Sequence, residues 1–273
     1  MAVSTQWQLA RDAAERYESI LVPTLLGPAA RALVESAHLV GGEAVLDVGC
    51  GTGAAARYAA QRIGQSGRVM AVDINPGMLE VAKSLPQVAG APIEWLENDA
   101  CQLSAAGASF DVVLCAQTLQ FVGDRVQALS EMHRVLKPGG RALVSAWCAI
   151  EENPYMDVLV ESIERYIGPH VSAGLNAVFG LSDAGQLRGL FIDAGFDNVA
   201  LTRVDLDIEL PNPIDFVPRH ISATPMAAGF SAADPSIQQA IVNDVADRLT
   251  SYGIGDGARI PFRTQVATGV KAG

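Results

Sequence analysis

The sequence predicts a doubly wound α/β fold built on a parallel sheet. Three observations carry that reading. Between residues 43 and 148, short runs of Val, Ile and Leu alternate with helical segments. The runs are near-continuously apolar, as strands covered on both faces are. A glycine-rich turn, in VLDVGCGTGAAA (45–56), joins the first run to the next helix.

Each element follows from its pattern. Residues 6 to 38 read as helical: Leu9, Ala13, Ala14, Tyr17, Ile20 and Leu21 share one face, and Pro23 is expected to break the run. A second helix follows from about Pro28 to His38. EAVLDVG (43–49) is a short buried strand, and Gly53 to Ile63 an Ala-rich helix. RVMAVDI (68–74) is the next strand, then PGMLEVAKSL (76–85) a helix with Pro near its start. PIEWLEND (92–99) and FDVVLCAQ (110–117) are strands, RVQALSEMHRVL (125–136) a helix, KPGG (137–140) a turn, and RALVSAWC (141–148) a strand. Beyond Trp147 the rhythm loosens. Residues 149–182 read as irregular with one helix near 155–167. LSDAGQLRGLFIDAGF (181–196) is a helix, capped by Ser182 or Asp183 and stopped by Gly195. VALTRVDLDIEL (199–210) alternates as a strand, 211–258 is irregular with a helix near 235–251, and RIPFRTQVATGVK (259–271) closes the chain as a strand.

The totals set the partners. The chain has 273 residues, 49% of them hydrophobic and 18% charged, enough to bury a full core and too few charges for a disordered chain. A formal net charge of −11, with no basic run, argues against nucleic acid and against an acidic membrane surface. No apolar stretch approaches the ~18 residues of a membrane span, and MAVSTQWQLARDAAER lacks the basic and apolar regions of a signal peptide. Cys50, Cys101, Cys115 and Cys148 form no CxxC pair and fit no zinc pattern, so reduced thiols in a cytoplasmic protein, and no metal, are expected.

The glycine turn marks a ligand site. Open parallel sheets bind ligands at the carboxyl ends of their strands, where a glycine-rich turn lets backbone approach the ligand. Gly49-Cys50-Gly51-Thr52-Gly53-Ala54 satisfies the GxGxxG/A dinucleotide fingerprint, and Asp73, closing the next strand, suits the ribose of either a dinucleotide or an adenosyl cofactor. Three features choose between them. Asp47, two residues before the first glycine, would repel a pyrophosphate and attract an ammonium or sulfonium. Asn98-Asp99-Ala100 places a second acid where it can accept from an adenine amine. The third glycine comes one place early, giving D-x-G-x-G-x-G.

VLDVGCGTG, AVDINPGML, NDA, FDVVLCAQTLQFV and RVLKPGGRALV resemble, in order and spacing, the successive motifs of class I S-adenosylmethionine-dependent methyltransferases, in the group of the ubiquinone and menaquinone C-methyltransferases. The resemblance covers roughly residues 43–148. It implies a Rossmann-like, seven-stranded, mostly parallel sheet whose last strand, RIPFRTQVATGVK, is antiparallel, with the GIGDGAR turn forming a hairpin from VALTRVDLDIEL. It implies one domain over 1–273: an N-terminal helical cap (1–40), a cofactor-binding core (43–148), substrate-cap insertions (149–182 and 211–258) and the final strand (259–271). Gly49, Gly51 and Gly53, with Cys50 and Thr52 between them, would line the methionine part of the cofactor, and Asp47 would face its amino group. Asp73 would hold the ribose diol, with Ile74 and Met78 against the adenine. Asp99 would accept from the adenine amine beside Ala100 and Cys101. Ala116, Gln117 and Leu119 to Phe121 would lie near the sulfonium and the acceptor, and Tyr17 on the first helix would close over the cofactor.

Methyl transfer from a sulfonium needs alignment more than covalent catalysis, so no catalytic constellation is required. Of the four histidines, His133 and His38 read as structural. His220 in the second insertion is the candidate general base, ahead of His170. Trp95 and Trp147 read as core. The expected activity is C- or O-methylation of a small apolar or aromatic molecule by in-line displacement. The expected partners are that acceptor and, at most, a second copy of the chain in a homodimer. The alternatives are a fold that binds the cofactor without transferring methyl, as a cyclase or regulatory module, and a nicotinamide-dependent oxidoreductase.

Overall fold

The strands β1 (Ala44–Val48), β2 (Arg68–Asp73), β3 (Ile93–Glu97), β4 (Phe110–Ala116) and β5 (Leu136–Trp147) pair in parallel in the order β3-β2-β1-β4-β5. The computed structural model describes residues 10–273. Every residue of β1 is buried, which explains why its sequence shows no alternation. Beyond β5 the sheet adds β8 (Gly257–Val270) and then β6 (Asp197–Leu210), with β8 antiparallel to both neighbours. A stub, β7 (Gly253–Ile254), folds back on the start of β8, so the sheet counts eight strands. The expected hairpin is therefore the β7–β8 tip, while β6 reaches β8 across a long helical insertion.

Helices cover both faces. On one, α2 (Gly27–Ser36) and α3 (Ala54–Ile63) pack Leu33, Ala55, Ala56, Ala59 and Ala60 onto Val45, Val69 and Leu143. The alanines matter because small side chains let α3 lie close to the sheet. On the other, α5 (Arg125–Val135) and α8 (Ala184–Asp193) bury Leu129, Met132, Leu187 and Phe191. Asp183, not Ser182, caps α8 by accepting from Gln186 N–H at 2.6 Å. Two further expectations change. KPGG is not a free turn: β5 begins at Leu136 and runs through it, shifting register against β4 between Phe110 and Val112. Pro23 does not break the N-terminal helix. After α1 (Arg11–Arg16), Tyr17–Leu26 widens into a π-helix that carries Pro23, and α2 follows directly. A proline lacks the N–H and crowds the preceding turn, which a wider turn relieves; Thr24 Oγ1 donates to Ile20 O at 2.6 Å. Leu9 and the rest of residues 6–9 lie outside the described residues.

The insertions are helical rather than irregular. They contribute α6 (Pro154–Tyr166), α7 (Pro169–Asn176), α9 (Pro213–Ser222), α10 (Ala227–Ala232) and α11 (Pro235–Arg248) above the sheet, while α4 (Pro76–Ser84) belongs to the core, between β2 and β3. These cap helices form a core of their own around Tyr155, Leu159, Phe216, Val217, Ile241 and Phe262. Their apolar periodicity is short and broken by Pro and Gly, so it does not stand out in the sequence. Among the described residues, no helix is long and apolar enough to cross a membrane.

Candidate active site

A cavity of about 450 Å³ opens at the carboxyl ends of β1, β2 and β4, between sheet and cap. It has two halves. The turn after β1 (Gly49, Cys50, Gly51, Thr52), the end of β2 (Asp73, Ile74, Asn75, with Met78) and the Asn98–Cys101 turn form one. Leu21, Leu25, Trp147, Met156, Val178 and Phe262 wall the other. Gln117, Thr118, Gln120 and Phe121 lie on the wall after β4. Among the described residues no Lys or Arg lines the cavity, whereas Asp73, Asp99 and Asp124 do.

The glycine turn is shaped by what packs under it. Gly49 has φ +68, and a Cβ there would meet the Thr118 side chain, whose Oγ1 donates to Gly49 O at 2.9 Å. Gly53 has φ +89, and a Cβ there would collide with the Trp95 ring. Trp95 thus has a task beyond core filling. Asp73 closes the turn from the side. Its Oδ2 accepts from Gly51 N–H at 2.7 Å and its Oδ1 from Asn75 N–H at 2.8 Å. Asn75 is the cap of α4, its Oδ1 accepting from Gly77 N–H at 2.9 Å. Burial pushes the Asp73 carboxyl up, while the Asn75 and Gly51 amides pull it down. Asp99 accepts from Cys101 N–H at 2.8 Å and is exposed on the cavity rim.

Asp47 and Gly53 are not on the cavity wall. Asp47 lies beneath the turn, fully buried, with neither carboxylate oxygen in a hydrogen bond. Burial raises its pKa to about 7; the Ala56 amide opposes this, and the nearby Asp73 adds to it. The structure thus places Asp47 under the turn and not where its position in the sequence predicts contact with a ligand.

Tyr17 of the π-helix lies over the turn, its hydroxyl 3.8 Å from where a Gly51 Cβ would stand. Burial, then Asp73, pushes its phenol well up. The next residue, Glu18, accepts at Oε1 from Arg57 Nη2 at 3.2 Å, and Arg57 Nη1 donates to Thr52 O at 2.6 Å. This latch between the N-terminal helix and the glycine turn carries no sequence motif.

Gln117, just beyond β4, has φ +52, a left-handed conformation that strains a non-glycine residue. Its Nε2 donates to Thr264 Oγ1 at 2.9 Å, whose own hydroxyl donates to Ala146 O at 2.8 Å, so the amide orientation is fixed. Gln120 Nε2 donates to Gln117 O at 3.0 Å. The Oε1 atoms of both glutamines and Thr52 Oγ1 are buried without partners. The sequence does not single out Thr118; Gln120 falls within the expected Leu119–Phe121 stretch, of which Leu119 is fully buried and off the cavity wall.

Among the histidines, His220 on α9 reaches the cavity wall. It is 2% exposed, and its Nδ1 lies 2.6 Å from Tyr155 Oη. His133 stands edge-on to Phe196 at 5.0 Å between ring centroids, in the α5 layer. His38 and His170 are exposed.

The methyltransferase domain family matches residues 46–144. The demethylmenaquinone methyltransferase of Lactococcus lactis is 34% identical over 171 residues, 57% of this chain and 66% of that protein. The ubiquinone/menaquinone biosynthesis C-methyltransferase of Klebsiella pneumoniae is 32% identical over 174 residues, 58% of this chain and 68% of that protein. The chain belongs to the class I S-adenosylmethionine-dependent methyltransferases. Within them it falls in the group of the ubiquinone/menaquinone C-methyltransferases, about two thirds of whose length it spans. A solved phosphoethanolamine N-methyltransferase 2 of Haemonchus contortus, bound to phosphomonomethylethanolamine and S-adenosylhomocysteine, shares the fold. Its TM-score is 0.61 at 20% identity, over 98% of this chain and 59% of that one.

The residues present fit the methyltransferase cofactor. The cavity has no cation to pair with a pyrophosphate and three carboxylates to favour a sulfonium and an ammonium. The Asp73 carboxylate has acceptor capacity beyond its bonds from Gly51 and Asn75 N–H. The buried, unpartnered oxygens of Asp47, Thr52 and Gln117 add negative potential behind the wall, which favours a positively charged ligand.

Proposed function

We propose that this methyltransferase transfers a methyl group to carbon or oxygen of a small, apolar, aromatic acceptor held in the cap half of the cavity. One observation carries the reading. The wall beside the Gln117 turn passes from carboxylates and backbone amides to Leu21, Leu25, Trp147, Met156, Val178 and Phe262. A charged or highly polar acceptor would find little there to replace its hydration. The matching relatives named for demethylmenaquinone and ubiquinone/menaquinone support a ring of quinone type.

The roles follow from placement. Asp73 would hold the ribose diol, Ile74 and Met78 the adenine face, and Asp99 the adenine amine beside Ala100 and Cys101. Gly49, Cys50, Gly51 and Thr52 would line the methionine moiety, with Gly53 shaping the turn and Asp47 supplying negative potential from below. Ala116 and Gln117 would face the reacting groups, and Tyr17 would close the top. The cofactor supplies, when bound, a methyl carbon already activated by its sulfonium. The chain's task is then to align the acceptor and exclude water, a placement worth on the order of 7–11 kcal/mol where the fit is good. The apolar cap and the Tyr17 helix exclude the water.

Incubation with methyl-labelled S-adenosylmethionine and a panel of phenols, hydroquinones and polar amines tests this. Label on the ring compounds and none on the amines is the expected result. Label only on polar amines, or only on a protein or tRNA, overturns the reading.

A further inference from the structure

The expected role of His220 was a general base. Its surroundings favour another. The Tyr155 hydroxyl is fully buried and makes one hydrogen bond, to His220 Nδ1. If Nδ1 carried the ring proton, it would donate to the tyrosine oxygen and leave the tyrosine proton buried without an acceptor. An unsatisfied buried donor is unfavourable. The tyrosine therefore donates, Nδ1 accepts, and the ring proton sits on Nε2. Nε2 has no hydrogen-bond partner among the described residues and is not among the sealed, unpartnered polar atoms, and the ring is part of the cavity wall. The edge open to the acceptor is therefore an N–H.

Burial pushes the imidazole pKa down to about 3, so it stays neutral and a poor proton acceptor at ordinary pH. Thr224 is the other polar side chain that the cap segments bring to the wall. It is spent, its Oγ1 donating to Ile221 O at 2.8 Å and accepting from Met226 N–H at 3.3 Å. We propose that His220, locked as the Nε2–H tautomer by Tyr155, donates a hydrogen bond to a carbonyl oxygen of the acceptor and selects carbonyl-bearing acceptors. His220 is then a specificity-determining residue, and Tyr155 a positioning residue that acts through it. This rests on the reading above that the acceptor occupies the cap half.

The wild-type protein loaded with S-adenosylhomocysteine and labelled with ¹⁵N-histidine reports the tautomer directly. A pyridine-type Nδ1 and a pyrrole-type Nε2 for His220 are expected, assigned by their loss in His220→Gln. A pyrrole-type Nδ1 overturns the lock. Selection is read by titrating α-tetralone and tetralin, which share a skeleton and differ in the carbonyl. Wild-type should prefer α-tetralone by roughly three- to tenfold over His220→Phe, with tetralin unchanged between them. His220→Gln, which keeps a donor, should restore part of that preference. Tyr155→Phe should reduce the preference and mix the two nitrogen signals. Equal loss of both ligands in His220→Phe, or no binding of either to the loaded wild-type, overturns the selection. Failure of S-adenosylhomocysteine itself to bind sinks the underlying reading instead, and is seen before either probe is added.

Discussion

Asp47→Asn removes a charge that the fold holds without a partner. The carboxyl is fully buried, neither oxygen is hydrogen-bonded, and burial moves its pKa from 3.8 to about 7. At about 1.36 kcal/mol per unit, ionising it in the native protein costs on the order of 4 kcal/mol relative to the unfolded chain. The sign follows from which state holds the proton. Between pH ~4 and ~7 the unfolded chain has lost it and the native protein keeps it, so this residue makes stability fall as pH rises through that window. Above pH ~7 both states are ionised and the slope vanishes. Asparagine has no such slope. Its own unsatisfied amide shifts the whole curve equally and drops out of a comparison between two pH values.

Thermal melts of the apo protein at pH 5 and pH 8 measure this. About 2.7 kcal/mol of that cost falls between pH 5 and pH 8, so the variant should gain on wild-type between the two by roughly 5–10 °C, taking about 2–4 °C per kcal/mol for a chain near this size. S-adenosylmethionine brings positive charge to the turn above Asp47, so wild-type affinity should rise from pH 6 to pH 8 while the variant's does not. A melting difference that is constant with pH refutes the argument, because it would mean that the buried carboxyl is already compensated in the apo protein.

Three further substitutions probe the same half of the cavity. Asp73→Ala removes the acceptor for Gly51 and Asn75 N–H and the site for the ribose diol, and calorimetry should show cofactor affinity down by about ten- to a hundredfold. Gly53→Ala forces a side chain into the Trp95 ring at φ +89; denaturant unfolding should show a loss of a few kcal/mol, on the order of 1–3, and an unchanged midpoint would show that the turn can rearrange. Arg57→Met cuts the link from Thr52 O to Glu18; hydrogen exchange over residues 17–26 should quicken and cofactor release with it, whereas an unchanged release rate would separate the latch from closure.

The cofactor half of the cavity was legible because it is local. Asp73 follows the glycine turn by one helix and one strand, and the spacing that places it against Gly51 is fixed by that unit. The same locality made the strands β1 to β5 readable. The readings that changed depend on partners far along the chain. KPGG joins β5 because Lys271 takes its backbone bonds, Gly139 N–H donating to Lys271 O and Gly140 O accepting from Lys271 N–H, each at 2.9 Å. Pro23 stays helical because Gly27 N–H can reach back to Val22 O. Asp47 is recognisable by its place before the glycines. Its depth is not, since only the packing of Ala56 and the turn over it decides that Asp47 underlies the cavity rather than lining it.

The acceptor half is written in pairs that no motif joins. Tyr155 and His220 meet across 65 residues, and Gln117 is oriented by Thr264 across 147. Each pair is a hydrogen bond inside an apolar core, where direction is fixed because the alternative strands a buried polar group. Direction is also what the acceptor would meet. In the core half, buried unpartnered oxygens set a negative potential behind the wall, and in the cap half the proposed histidine N–H would meet an oxygen. Substitutions that keep size and reverse direction, such as Thr264→Val under Gln117 or Tyr155→Phe behind His220, should therefore alter ligand choice more than they alter the fold. The packing around both residues is apolar and survives the loss of one hydroxyl, while the hydrogen-bonding pattern presented to the cavity does not.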